Sequence, residues 1–228
     1  MTKITVITLD GPSGTGKGTA CHLLAQKLGF NFLDSGSIYR VLALAGKQIG
    51  LAADDLTAWG NLAVQLDLHF AVGPDFISLV YLDGQEVSAD IRTEECGQEA
   101  SRVACIPSIR SALLDRQRSF AQQPGLVTDG RDMGTVVFPE AQLKFYLDAS
   151  AQTRANRRYL QLIKMGKHAS LSQVIHELSE RDARDMGREY APLCAAIDAI
   201  HIDTNGLGVM QVFQELWKHV VERGLGGS

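Results

Sequence analysis

The chain has 228 residues, enough for one α/β domain with a sizeable core and an insertion or two, while two full domains would be crowded. Apolar residues make up 45% and charged residues 21%, with a formal net charge of −4, which argues against a disordered, fibrous or general nucleic-acid-binding chain. No stretch approaches the roughly 20 apolar residues of a membrane span, Cys21, Cys96, Cys105 and Cys194 form no CxxC pair, and the run from Met1 into Ile4 leaves no room for an export signal, so a cytoplasmic protein without membrane contact is expected.

In chain order, residues 4–9 form a β-branched, nearly all-apolar run that predicts a buried strand, and residues 16–28 carry Leu23, Leu24 and Leu28 on one helical face. A glycine-rich turn joins the two. A short strand at 31–33 and helices over 37–45 and 56–66 continue a β-α rhythm. The pattern then changes to strand-like runs at 68–72, 76–82 and 86–89, with Asp83-Gly84 as a turn, which predicts a small antiparallel insert within 66–92. Helices are expected at 93–104 and 109–121, Pro107 and Ser108 marking the start of the second. Strands at 126–128, 143–147 and 200–202, an Arg-rich helical hairpin over 151–187 and a last helix over 209–221 complete the pattern. Five parallel strands interleaved with helices make a doubly wound α/β sheet. No repeat or linker interrupts it, and only the final Gly-Leu-Gly-Gly-Ser reads as disordered.

The segment Gly11-Pro12-Ser13-Gly14-Thr15-Gly16-Lys17 matches GxxxxGK and lies between an apolar strand and a helix, the context in which that motif cradles phosphate. Glycines let the backbone bend so that its N–H groups point inward, the helix N-terminus adds positive potential, and Lys17 reaches the β- and γ-phosphates of ATP. The bland reading is a glycine-rich turn that happens to carry a lysine, and it does not account for both flanking elements. The Ser or Thr that commonly follows the lysine and holds Mg²⁺ is replaced by Gly18, with Thr19 next, which leaves open whether Thr19 meets the ion directly or through water. Asp34 and Asp129 end two core strands and offer carboxylates to the metal, although short acids there also cap helices. Gly11, Asp34 and Asp129 all fall at the carboxyl edge of the sheet, where ligands collect.

An acceptor carrying a phosphate monoester would bring about two negative charges, since the second ionisation lies near pKa 6, and bidentate arginines are the expected receivers. Arg40 and Arg131 are the candidates. Ser101 and Arg110 fall on helices where polar residues usually face water. Arg181, Asp185 and Arg188 recur at spacings of four and three and share a helical face, normally a solvated row, and Gly187 can end that helix before Arg188. Arg154, Arg157, Arg158 and Arg184 form a second cationic set, and which of Arg157 and Arg158 points inward is not legible. The six histidines are scattered, with no metal-ligand spacing and no catalytic triad.

Four strings carry a resemblance to a known family. The Gly-Lys-Gly-Thr ending of the loop is similar to that of nucleoside monophosphate kinases. Asp34-Ser35-Gly36-Ser37-Ile38-Tyr39-Arg40, the run from Asp129-Gly130-Arg131-Asp132-Met133-Gly134 to Pro139, and Arg181-Asp182-Ala183-Arg184-Asp185 with Arg188 and Ala191-Pro192-Leu193 resemble bacterial cytidylate kinases more closely. The resemblance implies a P-loop kinase fold, with a five-stranded parallel sheet flanked by helices, an acceptor-covering insert at 66–92 and a lid at 151–190. It implies transfer of the γ-phosphate of ATP, assisted by Mg²⁺, to CMP or dCMP, with Gly11 through Thr19 holding ATP and Asp129, Asp34 and Thr19 near the metal. It places Ser35 and Arg40 at the acceptor, Ser101, Arg110 and Asp132 at cytosine, Arg181 and Asp185 at the sugar and Arg188 at the monophosphate. Lys17, Arg131, Arg154 and Arg158 are then the catalytic charges. The expected partners are these small molecules alone, bound by a monomer, with no nucleic acid and no membrane. Two rivals remain: a phosphate-loop kinase for another small acceptor, and a regulatory protein that keeps the fold without turnover.

Overall fold

Val6, Ile7 and Leu9 are buried, and a strand buried on both faces belongs at the centre of a parallel sheet. In the computed structural model, which describes residues 4–72 and 78–226, strand β1 (Thr5–Asp10) takes that place. It is flanked by β6 (Gly125–Gly130) and β7 (Leu143–Asp148), with β2 (Asn31–Asp34) and β8 (Ile200–Asp203) outside them, giving the order β2-β6-β1-β7-β8. All four pairings are parallel. The register sets Asp34 beside Asp129, Asp10 beside Gly130, and Asp10 beside Tyr146, so several polar side chains leave the sheet at one edge.

By compactness the chain divides into two units, Met1–Asp34 with Arg118–Ser228, and Ser35–Gln117. In the first, helices α1 (Lys17–Leu28) and α8 (Val209–Glu222) cover the sheet, and Ala20, Cys21, Leu24, Val212, Leu216 and Val220 close a core with Ile7, Leu9, Phe145 and Leu147. Each large apolar side chain buried there stabilises the fold by about 1.5–3 kcal/mol. Helices α6 (Ala151–Lys164) and α7 (Leu171–Met186) form the expected hairpin, with Ala155, Leu162, Val174 and Leu178 as a small core of their own.

The second unit holds α2 (Ser35–Gln48), α3 (Leu56–Gln65), the antiparallel strands β3 (Leu68–Val72), β4 (Ser78–Leu82) and β5 (Gln85–Glu86), then α4 (Glu94–Val103) and α5 (Pro107–Arg118), whose last residue belongs to the first unit. Phe76 and Ile77, expected in the second insert strand, lie outside the described residues, as do Gly227 and Ser228 of the terminal stretch. Several boundaries differ from expectation. The third insert strand stops at Glu86 instead of reaching Ala89, because Val80 N donates to Ser88 Oγ at 2.9 Å and the backbone ladder ends there. Helix α2 begins at Ser35, directly after β2, two residues earlier than the apolar pattern shows. Helix α5 begins at Pro107 itself, whose missing N–H costs nothing in a first turn, and ends at Arg118.

Trp59 on α3 is buried against α2, and its ring lies so close to Gly46 that a Cβ there would sit 2.1 Å from Cη2. The ring is held in place, since Nε1 donates to Ala52 O at 3.0 Å. Gly46→Ala is therefore expected to destabilise the protein by about 1–3 kcal/mol through overpacking, read by urea denaturation with tryptophan fluorescence. A loss below about 0.5 kcal/mol would mean that the ring has room to move.

Candidate active site

The turn from β1 into α1 depends on glycine for two different reasons. Gly11 has φ 143°, and a Cβ there would lie 2.0 Å from the carbonyl oxygen of Leu147. Gly14 and Gly16 have φ 84° and 92°, in the left-handed region that other residues avoid. The resulting loop turns Lys17 inward: it is 5% exposed, and its Nζ donates to Pro12 O at 2.8 Å. Thr15 Oγ1 donates to the same carbonyl at 3.2 Å. Burial, and then the Arg131 guanidinium, disfavour the charge on Lys17, while Asp129 opposes them; the amine is pushed down to about 7.

Asp129 ends β6 abreast of Asp34 on β2. Burial and the Asp34 carboxylate push its carboxyl up to about 8, against the pull of Lys17. Its Oδ1 is buried without a hydrogen-bond partner, and its Oδ2 would lie 3.6 Å from a Cβ at Gly18, so the glycine leaves open space beside it. Thr19 is exposed in the first turn of α1. Among the described residues no three His, Cys, Asp or Glu side chains are grouped as a metal cage. An unpartnered carboxylate with a second one alongside fits Mg²⁺, which keeps several waters and takes phosphate oxygens besides one or two protein ligands.

Beyond β6, Arg131 is the hub. Its Nε donates to Asp185 Oδ2 at 2.9 Å, its Nη1 to Gly130 O at 3.0 Å and its Nη2 to Ser13 Oγ at 2.7 Å, which joins it to the phosphate loop. Burial works against the guanidinium charge, but Asp185, with Asp129 and Asp182, holds its pKa above the ordinary value. Arg188 donates to the other oxygen of Asp185 although Gly187 has ended α7. Burial alone would raise the Asp185 carboxyl; Arg131, Arg188 and Arg181 hold it below the usual carboxylate range. Asp132 is buried and leads into a one-turn π-helix at Met133–Val137 that the sequence pattern does not announce.

The hairpin arginines separate. Arg154 is buried, donating through Nε to Ala149 O at 3.0 Å and through Nη1 to Ser13 O at 3.1 Å, with an ion pair to Asp182. Its Cβ would be 2.9 Å from one built on Gly14, so the loop and α6 are in close contact. Arg157 turns to the loop too, bonding Thr15 O at 3.3 Å, Thr204 Oγ1 at 2.9 Å and Leu207 O at 3.0 Å. Arg158 is half-buried and donates to Gln161 Oε1 at 2.9 Å. Arg181 and Arg184 are half-buried on α7.

In the second unit Ser35, Ser101 and Arg110 are buried, so the last two do not face water as their helical positions alone suggest. Arg110 donates to Ala104 O at 3.2 Å and lies 5.5 Å over the Tyr39 ring. Arg40 gives Nη1 to Ile91 O at 2.6 Å and Thr93 O at 3.1 Å, and its Nη2 occupies the space a side chain at Gly97 would fill, 2.7 Å from a Cβ there.

One functional residue, Asp10, escapes a reading of sequence. Asp10, 3% exposed, accepts from Met133 N and Gly134 N, and the signal for it is an acid closing an otherwise apolar central strand. Burial pushes its carboxyl up to about 6 in spite of those two bonds. Asp182 lies inside the Arg181–Asp185 string and Arg157 inside the hairpin cationic set, but their pairing, Asp182 with Arg154 and Arg157 with the loop, has no sequence signal.

A strand, a glycine loop and a helix with a buried lysine at the centre of a five-stranded parallel sheet, ringed by arginines and carboxylates, define a P-loop phosphotransferase fold. The chain belongs to the cytidylate kinase family, whose model, described as Cytidylate kinase, matches residues 7–222. It is 50% identical to a cytidylate kinase of Shewanella amazonensis over 96% of this chain and 95% of that one. With a cytidylate kinase of Methylococcus capsulatus it shares 52% identity over 92% of this chain and 94% of the relative. Among solved structures a gluconokinase from Sinorhizobium meliloti 1021 aligns with a TM-score of 0.47 and 12% identity, over 96% of this chain and 93% of its own, too distant to bear on substrate.

A lysine with a pKa of about 7 is half-charged at neutral pH, and triphosphate oxygens beside it favour the charged form. Binding of a triphosphate at pH 7 without divalent cation is thus expected to draw about half a proton onto Lys17. Calorimetric heats in buffers of different ionisation enthalpy measure this uptake, and Lys17→Met should remove it. Identical uptake by both proteins would show that Lys17 is already fully charged.

Proposed function

We propose that this chain transfers the γ-phosphate of ATP to CMP or dCMP, giving CDP or dCDP and ADP. The observation that carries the reading is the buried lysine of the phosphate loop, linked through Ser13 and Arg131 to Asp185 and Arg188, in a chain half-identical to cytidylate kinases over nearly its whole length. Small-molecule partners alone, a monomer and a cytoplasmic setting belong to the same proposal.

The acceptor phosphate is largely ionised at neutral pH, so its oxygen attacks the γ-phosphorus without a strong base. Catalysis then consists of in-line alignment and of charge placed where it develops. The loop from Gly11 to Thr19 holds the donor phosphates, Lys17 bridges toward the migrating group, and Arg154 and Arg158 flank it. Arg157, next to Arg158 on α6, donates to Thr15 O and steadies the loop backbone. Arg40, Arg131 and Arg188 receive the acceptor phosphate, and Ser35, on α2 with Arg40, is assigned to the acceptor as well. Arg181 and Asp185 receive the sugar; Asp185 does so while holding two arginines, so it also orders the phosphate receivers. Mg²⁺, when bound with ATP, neutralises charge on the β- and γ-phosphates, and Asp129, with Asp34 and Thr19, would hold it directly or through water.

Cytosine and uracil differ by an amino donor against a carbonyl acceptor, and Asp132, with Ser101 and Arg110, is assigned to that edge. A carboxylate accepts from the amino group and repels the carbonyl. ADP release with CMP, UMP, AMP and GMP tested separately is expected to show CMP ahead in kcat/KM by at least about tenfold. A purine monophosphate in first place would overturn the reading. Lys17→Ala should lower kcat by about a hundredfold or more with the fold intact, and near-normal turnover would end its catalytic role. Asp132→Asn, whose amide donates as well as accepts, should narrow the CMP preference over UMP by about tenfold. Equal losses with both nucleotides would place base selection elsewhere.

A further inference from the structure

The π-helix at Met133–Val137 starts directly after Asp132, and its leading N–H groups have no acceptor within the turn. Asp132 does not cap it with its own side chain. The acceptors come from a different strand: Met133 N donates to Asp10 Oδ1 at 2.9 Å and Gly134 N to Asp10 Oδ2 at 2.8 Å. Each carboxylate oxygen thus takes one backbone donor. An amide could serve only one of them, because its NH₂ would face the other N–H.

Asp10 is the last residue of β1, lies in register with Gly130 and is followed at once by Gly11 of the phosphate loop. One buried carboxylate therefore ties the strand that launches the loop to the segment that carries Arg131 and Asp132. The contact is close-packed as well as polar. A Cβ at Gly134 would lie 2.9 Å from Thr8 Oγ1, 3.2 Å from Lys144 Cδ and 3.3 Å from Asp10 Oδ2. Asp132, at φ −143° and ψ 23°, has neither helical nor extended backbone, so its direction depends on what fixes the residues after it.

We propose that Asp10 is a positioning residue for the acceptor nucleotide, its carboxylate holding the Met133–Gly134 backbone and with it the orientation of Arg131 and Asp132. The inference rests on the reading that these two residues face the acceptor. Asp10 itself touches neither substrate.

The test is a pair of KM values for Asp10→Asn and for Gly134→Ala, each measured with ATP and with whichever monophosphate the wild type turns over fastest. KM for the monophosphate is expected to rise about tenfold or more while KM for ATP stays within about threefold. Gly134→Ala disturbs the same contact from the other side and should give the same split, so the inference does not depend on how well Asp10→Asn folds. Parallel rises in both KM values, or a lowered Tm with both unchanged, would mean that Asp10 only supports the fold, and would overturn the proposal. Asp132→Asn run alongside separates the two ideas. If it leaves the CMP to UMP ratio unchanged, base reading by Asp132 falls, while the KM split still decides the role of Asp10 through Arg131.

Discussion

The structure turns on the mutual compensation of charges buried at the carboxyl edge of the central strands. Asp10, Lys17, Asp129, Asp132, Asp185 and Arg188 are all less than a tenth exposed, and Arg131 is little more so. An isolated charge there would be prohibitive. Asp10 is set against backbone N–H groups and Asp185 against Arg131 and Arg188, and removing one partner of such a buried ion pair leaves the other uncompensated, at a typical cost of about 3–5 kcal/mol. The balance is incomplete at one place. Asp129 has an oxygen without a partner and a second carboxylate alongside, and Lys17 beside it is pulled toward neutrality. Anionic phosphate and a hard cation would remove both deficits together, so the strained charge balance and the proposed ligands belong to one account.

That compensation explains why arginines and acids occur in linked sets. Asp185 holds Arg131 and Arg188 with its two oxygens, and Asp182 anchors Arg154 where it meets Ser13. Arg131 and Arg154 both end on Ser13, one on its hydroxyl and one on its carbonyl, so the loop is held from helix α6 and from the end of β6. Glycine is required wherever this web closes on backbone. Gly11 lies against Leu147, Gly14 against Arg154 and Gly134 against Thr8, and no side chain fits at any of them.

Much of the fold is legible in the sequence. The strand positions and the helical hairpin follow from apolar periodicity, and the phosphate loop from its spacing between a strand and a helix. What fails does so for local reasons. Ser88 replaces a backbone partner and cuts the third insert strand short, and the π-turn after Asp132 exists because a carboxylate from another strand accepts its first two N–H groups. Neither cause lies in the segment whose shape it sets, so no window of sequence contains it.

The site divides in the same way. Sequence by itself determined the chemistry at hand: a lysine in a glycine loop, carboxylates at strand ends, two sets of arginines, and strings close enough to one family to name it. Only tertiary structure decided which of those groups meet. It turned Arg157 to the loop, made Asp185 the holder of two arginines, buried Ser101 and Arg110, set Asp182 against Arg154, and brought in Asp10, which no motif singles out. The reason is physical. Residue type fixes what a side chain can donate, accept or charge, whereas the pairing of buried charges depends on strand register and helix rotation, which are set by packing across the whole sheet.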